Sequence, residues 1–202
     1  LMFLVIPVLL TIGLSFFSLK QMDNLASEIT SQSTEVVKEL TEKIIIDQAK
    51  SVASQCSIFL KNNPDLNKDD FFFDLDLNRI SIQKVGLKGY TALIEIPSPD
   101  QNDDYFTIWC HPDQKLIGKS LLKSFKANLG DSYENFKGII NKIRLGKGNF
   151  CYYQWTEDRQ IKDKFIAVEH IEQPKYIIIS NTYIDDFTGP IIDLQKKSNQ
   201  TT

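Results

Sequence analysis

The sequence is short of the residues that most often carry chemistry. It has two histidines, His111 and His170, and three cysteines, Cys56, Cys110 and Cys151. No CxxC or CxxCH pair occurs, so a zinc ribbon and covalently attached c-type haem are both without support. An odd, widely spaced set of three cysteines is not a disulfide framework either. Nothing in the spacing of Cys110, His111, Cys151 and His170 demands a metal, and they read as packing residues. No cofactor is expected. Positive charge is not in excess: 23 Lys and Arg against 26 Asp and Glu leave a net charge of −3. With no basic stripe, nucleic acid is not an expected partner.

Two stretches lack something else. Residues 1–19, LMFLVIPVLLTIGLSFFSL, carry no charge. As a helix they would span about 28 Å, close to the hydrocarbon thickness of a bilayer. Pro7 and Gly13 are tolerated in membrane helices. The run is longer than a typical signal-peptide core and no A-x-A cleavage site follows, so it reads as a membrane anchor.

From Lys20 to Lys61 there is no proline and no glycine. Met22, Leu25, Ile29, Val36, Leu40, Ile44, Val52, Cys56 and Phe59 recur mostly in steps of three, four or seven, the period of an amphipathic helix. Unbroken, the 20–61 helix would reach about 63 Å, too long to pack on one small domain. It reads as a stalk whose membrane-near part pairs with a second copy of the chain, giving a homodimer, and whose far part covers a sheet. The apolar stripe thins between Ile29 and Val36, which argues against a continuous coiled coil.

The chain as a whole has what a globular domain needs: 42% hydrophobic residues and thirteen Phe, nine of them after residue 61. KNNPDLNKDD, residues 61–70, breaks the helix. FFFDLDLNRISIQKV reads as a loop or short helix leading into an extended piece. Strand signals follow at 90–96, 105–111, 149–156, 164–171 and 176–184. HPDQKLIGKSLL reads as a loop, DSYENFKGIINKIRL (131–145) as a helix, and EDRQIKD (157–163) as a charged hairpin. The layout is α+β: a long N-terminal helix, then a PAS-like domain over 62–190. That domain is an antiparallel sheet of about five strands with helices on one face. Residues 191–202 begin an exit helix.

The order of motifs is familiar. GLKGYTALIE, HPDQKLIGKSL, GKGNFCYYQW, a lysine opening the next strand (Lys164) and YIIISNTYIDDF together resemble the Cache family, over about residues 20–190. Those are extracytoplasmic sensor domains of bacterial and archaeal membrane receptors, such as sensor histidine kinases and methyl-accepting chemotaxis proteins. One PAS-like unit fits in the length, so the chain looks like the single-Cache type. The resemblance implies a domain outside the cytoplasm that binds a small organic molecule and passes a signal through its flanking helices. It implies no catalysis.

Strand alternation sorts the candidate contacts. Tyr153 and Trp155 share a face with Cys151; Tyr90 shares one with Ala92 and Ile94; Lys164 shares one with Ile166 and Val168. Tyr153, Trp155 and Lys164 lie on strands joined by a hairpin, so they can be neighbours. A cation beside aromatic walls suits a small carboxylate. Asp185 could receive an ammonium, which would make an amino acid possible, or could cap the exit helix. Arg79 is a further anion partner. His111-Pro112 is either a contact or the turn that anchors the loop.

Two rivals remain. A Cys–His hydrolase needs a cysteine on a strained turn or helix N-terminus, and Cys151 sits mid-strand while Cys110 abuts His-Pro. A non-catalytic ectodomain that binds only protein would need no cavity. The sensor would have a closed cavity with Tyr, Trp and Lys in its wall.

Overall fold

The structure, a computed structural model, describes residues 2–98, 100–102, 105–143, 149–171 and 175–189, with residues 2–12, 23 and 149 as backbone only. The chain divides into two compact units, 1–39 with 188–202, and 40–187. Helix α1 runs Met2–Asn62, as the absence of proline and glycine over 20–61 predicts. In the first unit the apolar side chains of Met22, Leu25, Ile29 and Val36 are all more than half exposed. The expected membrane span falls largely on residues 1–12, outside the described side chains. Among the described residues no helix is long and apolar enough to cross a membrane. The expected exit segment 191–202 also lies outside the described residues.

In the second unit, α1 is followed by a short 3₁₀ turn (Lys68–Asp70) and helix α2 (Leu75–Ser81). Asp74 caps α2 by accepting the Leu77 N–H at 2.8 Å, a contact that stabilises a helix by about 1 kcal/mol. Strands β1 (Lys84–Val85), β2 (Gly89–Glu95) and β3 (Thr107–Cys110) lead to helices α3 (Leu121–Leu129) and α4 (Tyr133–Ile143). Strands β4 (Asn149–Glu157), β5 (Gln160–His170) and β6 (Tyr176–Tyr183) complete one six-stranded antiparallel sheet in the order β1-β2-β6-β5-β4, with β3 also on β2.

Several expectations need correction. Helices cover both faces of the sheet, not one. On one side α1 and α2 bury Val52, Cys56, Leu60 and Leu77 against Leu93, Cys110 and Ile178. On the other, α3 and α4 bury Leu121, Leu122, Phe136 and Ile140 against Ala92, Ile94, Ile166 and Ile179. The central strand β6 shows why: all eight of its residues are buried, as a strand covered twice must be.

The expected loop over 111–122 ends in a helix not expected from the sequence, Leu121–Leu129, capped by Ser120 accepting the Lys123 N–H at 3.3 Å and ended at Gly130. The seven-residue hairpin is a two-residue turn. Asp158 and Arg159 both take positive φ, 51° and 63°, and the strands pair right up to Glu157 and Gln160.

Gly89 opens β2 because the sheet is tightest there. A Cβ at this position would lie 2.1 Å from the Asn181 carbonyl oxygen and 2.5 Å from that of Val85. No side chain fits, and the next residue, Tyr90, is delivered beside Asn181 in the register of β2 and β6.

Candidate ligand-binding site

Sheet register brings the site together. Tyr90 pairs with Asn181, Asn181 with Ile166, and Ile166 with Cys151, one row across four strands. Two residues along, Tyr183 pairs with Lys164 and Lys164 with Tyr153. Because side chains alternate, both rows present these residues to the face covered by α3 and α4. There Tyr90, Asn181, Ile166, Lys164 and Tyr153 line a cavity together with His111, Phe125 and Trp155.

Rings form most of the wall. Tyr90 meets His111 edge-on at 4.7 Å between centroids, and His111 lies 6.3 Å from Phe125. Phe125 meets Trp155 at 5.1 Å, and Tyr153 meets Phe136 at 5.1 Å. Ala92, Ile94, Ile166 and Ile179 complete an apolar floor. The free space is about 20 Å³, roughly one water molecule, so a larger guest enters by moving side chains.

Lys164 is the one cation in this wall. It is 5% exposed, with Nζ 4.6 Å from the centre of the Trp155 ring and 4.3 Å from that of Tyr183. Among the described residues its ammonium has no ion pair within 4.0 Å. Burial pushes it down to about 8, against the upward pull of Glu157 and Asp186. Tyr183 donates its hydroxyl to Glu157 Oε2 at 2.9 Å, and that bond holds the Glu157 carboxyl below its ordinary range.

His111 anchors the turn and also lines the cavity. The Asp113 backbone N–H donates to His111 Nδ1 at 2.9 Å, so the ring anchors the His-Pro turn. Burial, aided by the Lys164 charge, lowers its pKa and favours the neutral ring. With Nδ1 accepting, the proton of the neutral imidazole sits on Nε2. That N–H is buried and has no protein partner. Asn181, absent from the sequence-based candidates, is 4% exposed. Its Nδ2 donates to the Tyr90 carbonyl at 3.3 Å, which orients the amide and leaves Oδ1 buried without a partner. Asn181 sits between Ser180 and Thr182, and that polar run inside a fully buried strand was the available signal.

Of the residues singled out in the sequence, Tyr90, His111, Tyr153, Trp155 and Lys164 line one cavity. Asp185 and Arg79 do not: both are exposed and outside the lining. The neighbouring Asp186 instead accepts the Lys88 N–H at 3.0 Å. Burial raises Cys56 and Cys151 to about 12 and Cys110 to about 11, which disfavours the thiolate in all three. A larger groove of about 650 Å³ lies between α1 and the end of β5, lined by Lys50, Lys61, Glu169 and His170. It is open and of mixed charge, and offers no enclosed polar anchor.

No protein-family model and no curated protein sequence matches the chain. Solved structures do. A Cache chemosensory domain, described for its recognition of carboxylic acids, superposes with a TM-score of 0.50 at 15% identity, covering 77% of this chain and 98% of that one. This chain has the Cache fold. A periplasmic sensor domain of a chemotaxis protein aligns at a TM-score of 0.47 and 14% identity, over 77% of this chain and 97% of its own. The long N-terminal helix followed by an antiparallel sheet is the expected Cache layout, with α3 and α4 roofing the cavity over the sheet.

Proposed function

We propose that this Cache domain is the extracytoplasmic sensor of a membrane receptor and that its ligand is a small organic carboxylate held by Lys164. The observation that carries this reading is the buried ammonium of Lys164, without an ion pair among the described residues, beside a cavity that also holds the His111 Nε2–H. Burying an unpaired charge is costly, and an anionic guest removes that cost. Two donors converge on one small space, as one carboxylate group requires. The aromatic wall excludes water and strengthens both contacts. The Cache structure described for carboxylic acid recognition points the same way.

An amino acid fits less well. Its ammonium needs a carboxylate, and Asp185, the residue that could supply one, is outside the lining. Binding would shift the balance between packings of β6 and the segment after it, by no more than the ligand's differential affinity for the two states. We further propose a membrane anchor over 1–19 and a homodimer through the exposed stripe Met22, Leu25, Ile29 and Val36. Sedimentation of the full chain in detergent at several concentrations tests the dimer, and Ile29→Glu should shift it toward monomer.

The small free volume favours a second reading, an ectodomain that binds protein only and has no small-molecule ligand. One screen separates the two. Thermal unfolding of the full chain with acetate, propionate and other small acids should show a rise in Tm with at least one of them, and none in Lys164→Met. No rise with any acid would leave the second reading standing.

A further inference from the structure

The cavity contains one polar atom that a simple carboxylate does not satisfy. Lys164 Nζ and His111 Nε2–H are donors, and the two oxygens of a carboxylate answer both. Asn181 Oδ1 is an acceptor. It is buried and has no hydrogen-bond partner, and Asn181 lines the same cavity. The amide cannot simply be turned over, because that would bring Oδ1 against the Tyr90 carbonyl oxygen that Nδ2 now meets at 3.3 Å. A guest that brings a donor as well as an anion satisfies Asn181 Oδ1 directly. One that brings only an anion and fills the space leaves that oxygen to the neighbouring Tyr90 hydroxyl, whose side chain already interacts with this amide, or unpaired.

We propose that Asn181 makes this site selective for a small 2-hydroxy acid, a carboxylate with a hydroxyl on the adjacent carbon. This rests on the reading that Lys164 holds a carboxylate. The carboxylate lies between Lys164 Nζ and His111 Nε2, and the hydroxyl donates to Asn181 Oδ1, once side chains of the wall have moved to enlarge a free space of about one water. Three alternatives each fail at one point. A plain acid brings Oδ1 no donor. A 2-keto acid sets a second acceptor against it. A 2-amino acid offers donors but buries an ammonium where the lining supplies Lys164 and no carboxylate. Sites built to hydrogen-bond a hydroxyl reject the analogue lacking it, because their own polar group is then stranded.

Calorimetry on the full chain with four three-carbon ligands tests this: lactate, propionate, pyruvate and alanine. Lactate should bind about tenfold or more tightly than propionate or pyruvate, and alanine should give no heat. Asn181→Ala should bring lactate and propionate to the same affinity, and Lys164→Met should abolish binding of both. Equal affinity for lactate and propionate in the unaltered protein overturns the role of Asn181 and leaves the carboxylate reading intact. No binding of any of the four removes the carboxylate reading, and this inference with it. The unaltered protein alone decides between these outcomes, so the test survives if Asn181→Ala fails to fold.

Discussion

The Lys164 ammonium lies 4.3 Å from the centre of the Tyr183 ring, and Tyr183 is in turn bound through its hydroxyl to Glu157. The lysine is thus held by rings on two sides, while Glu157, the acid that acts on it most strongly, is bound to Tyr183 and ion-paired with Lys162 at 3.6 Å. That arrangement leaves the cation for a guest, and it makes the guest's affinity depend on pH.

With burial holding Lys164 at about 8, the ligand-free protein carries the ammonium below that pH and the neutral amine above it. A carboxylate stabilises only the ammonium. Affinity should be flat from pH 6 to 7.5, then fall by up to about tenfold per pH unit above 8, with one proton taken up on binding. Calorimetry in buffers of different ionisation enthalpy measures that proton. Constant affinity up to pH 10 would mean that Lys164 does not hold the anion.

Lys164→Met should make the ligand-free protein more stable at neutral pH. In the folded state the lysine titrates near 8, against 10.5 for a free lysine. Below pH 8 both states are protonated, and the folded state bears the whole burial cost, about 3 kcal/mol from that difference of about 2.5 units. Between pH 8 and 10.5 the folded lysine loses its proton first and the cost disappears. The methionine variant should therefore melt higher at pH 7, with the gap closing toward pH 10.5. Denaturant titrations at the two pH values give the comparison, and an unchanged gap would contradict a buried, uncompensated charge. A gain in stability with loss of binding is the usual trade at a functional site.

Gly89→Ala should be among the most damaging single substitutions. Its Cβ would meet backbone oxygens on two neighbouring segments, at 2.1 and 2.5 Å. Backbone held in a central sheet does not yield as the end of a flexible side chain would. A loss of about 3 kcal/mol or more is expected, read from the midpoint of urea unfolding. A near-neutral result would show that the start of β2 can move away from both β1 and β6 at little cost.

Much of this was legible in the sequence, for physical reasons that name the residues. Alternation placed Tyr153 and Trp155 on one face, because a strand's period is two whatever surrounds it. The motif order gave the fold. Alternation could not show which residue on β5 faces Tyr153. That depends on the turn, and Asp158-Arg159 is a poor signal for a two-residue turn that normally asks for Asn-Gly. Helix α3 was hidden because LLKSFKANL is short, although Ser120 and Gly130 mark its ends. Asn181 could not be weighed as a site residue because its importance lies in a missing hydrogen bond, visible only once β6 is flanked by β2 and β5. Asp185 and Asp186 differ only in which way one turn of backbone points them, and no pattern in DDF decides that.

The same turn supplies a prediction far from the cavity. Asp158 and Arg159 both adopt the left-handed region, at φ 51° and 63°, where a side chain beyond glycine, or to a lesser degree asparagine, costs free energy. Arg159→Gly keeps the register, since Glu157 and Gln160 already pair, and removes the strain. Glycine also frees the unfolded chain, which takes back part of the gain. The net effect should be a stabilisation of about 0.5–1 kcal/mol, with ligand affinity unchanged, because Arg159 is exposed and outside the cavity lining. Asp158→Asn should add a smaller increment in the same direction. Urea unfolding of both variants, alone and combined, tests the turn. Destabilisation by Arg159→Gly would mean that the β4–β5 connection is not the tight two-residue turn that sets Tyr153 opposite Lys164.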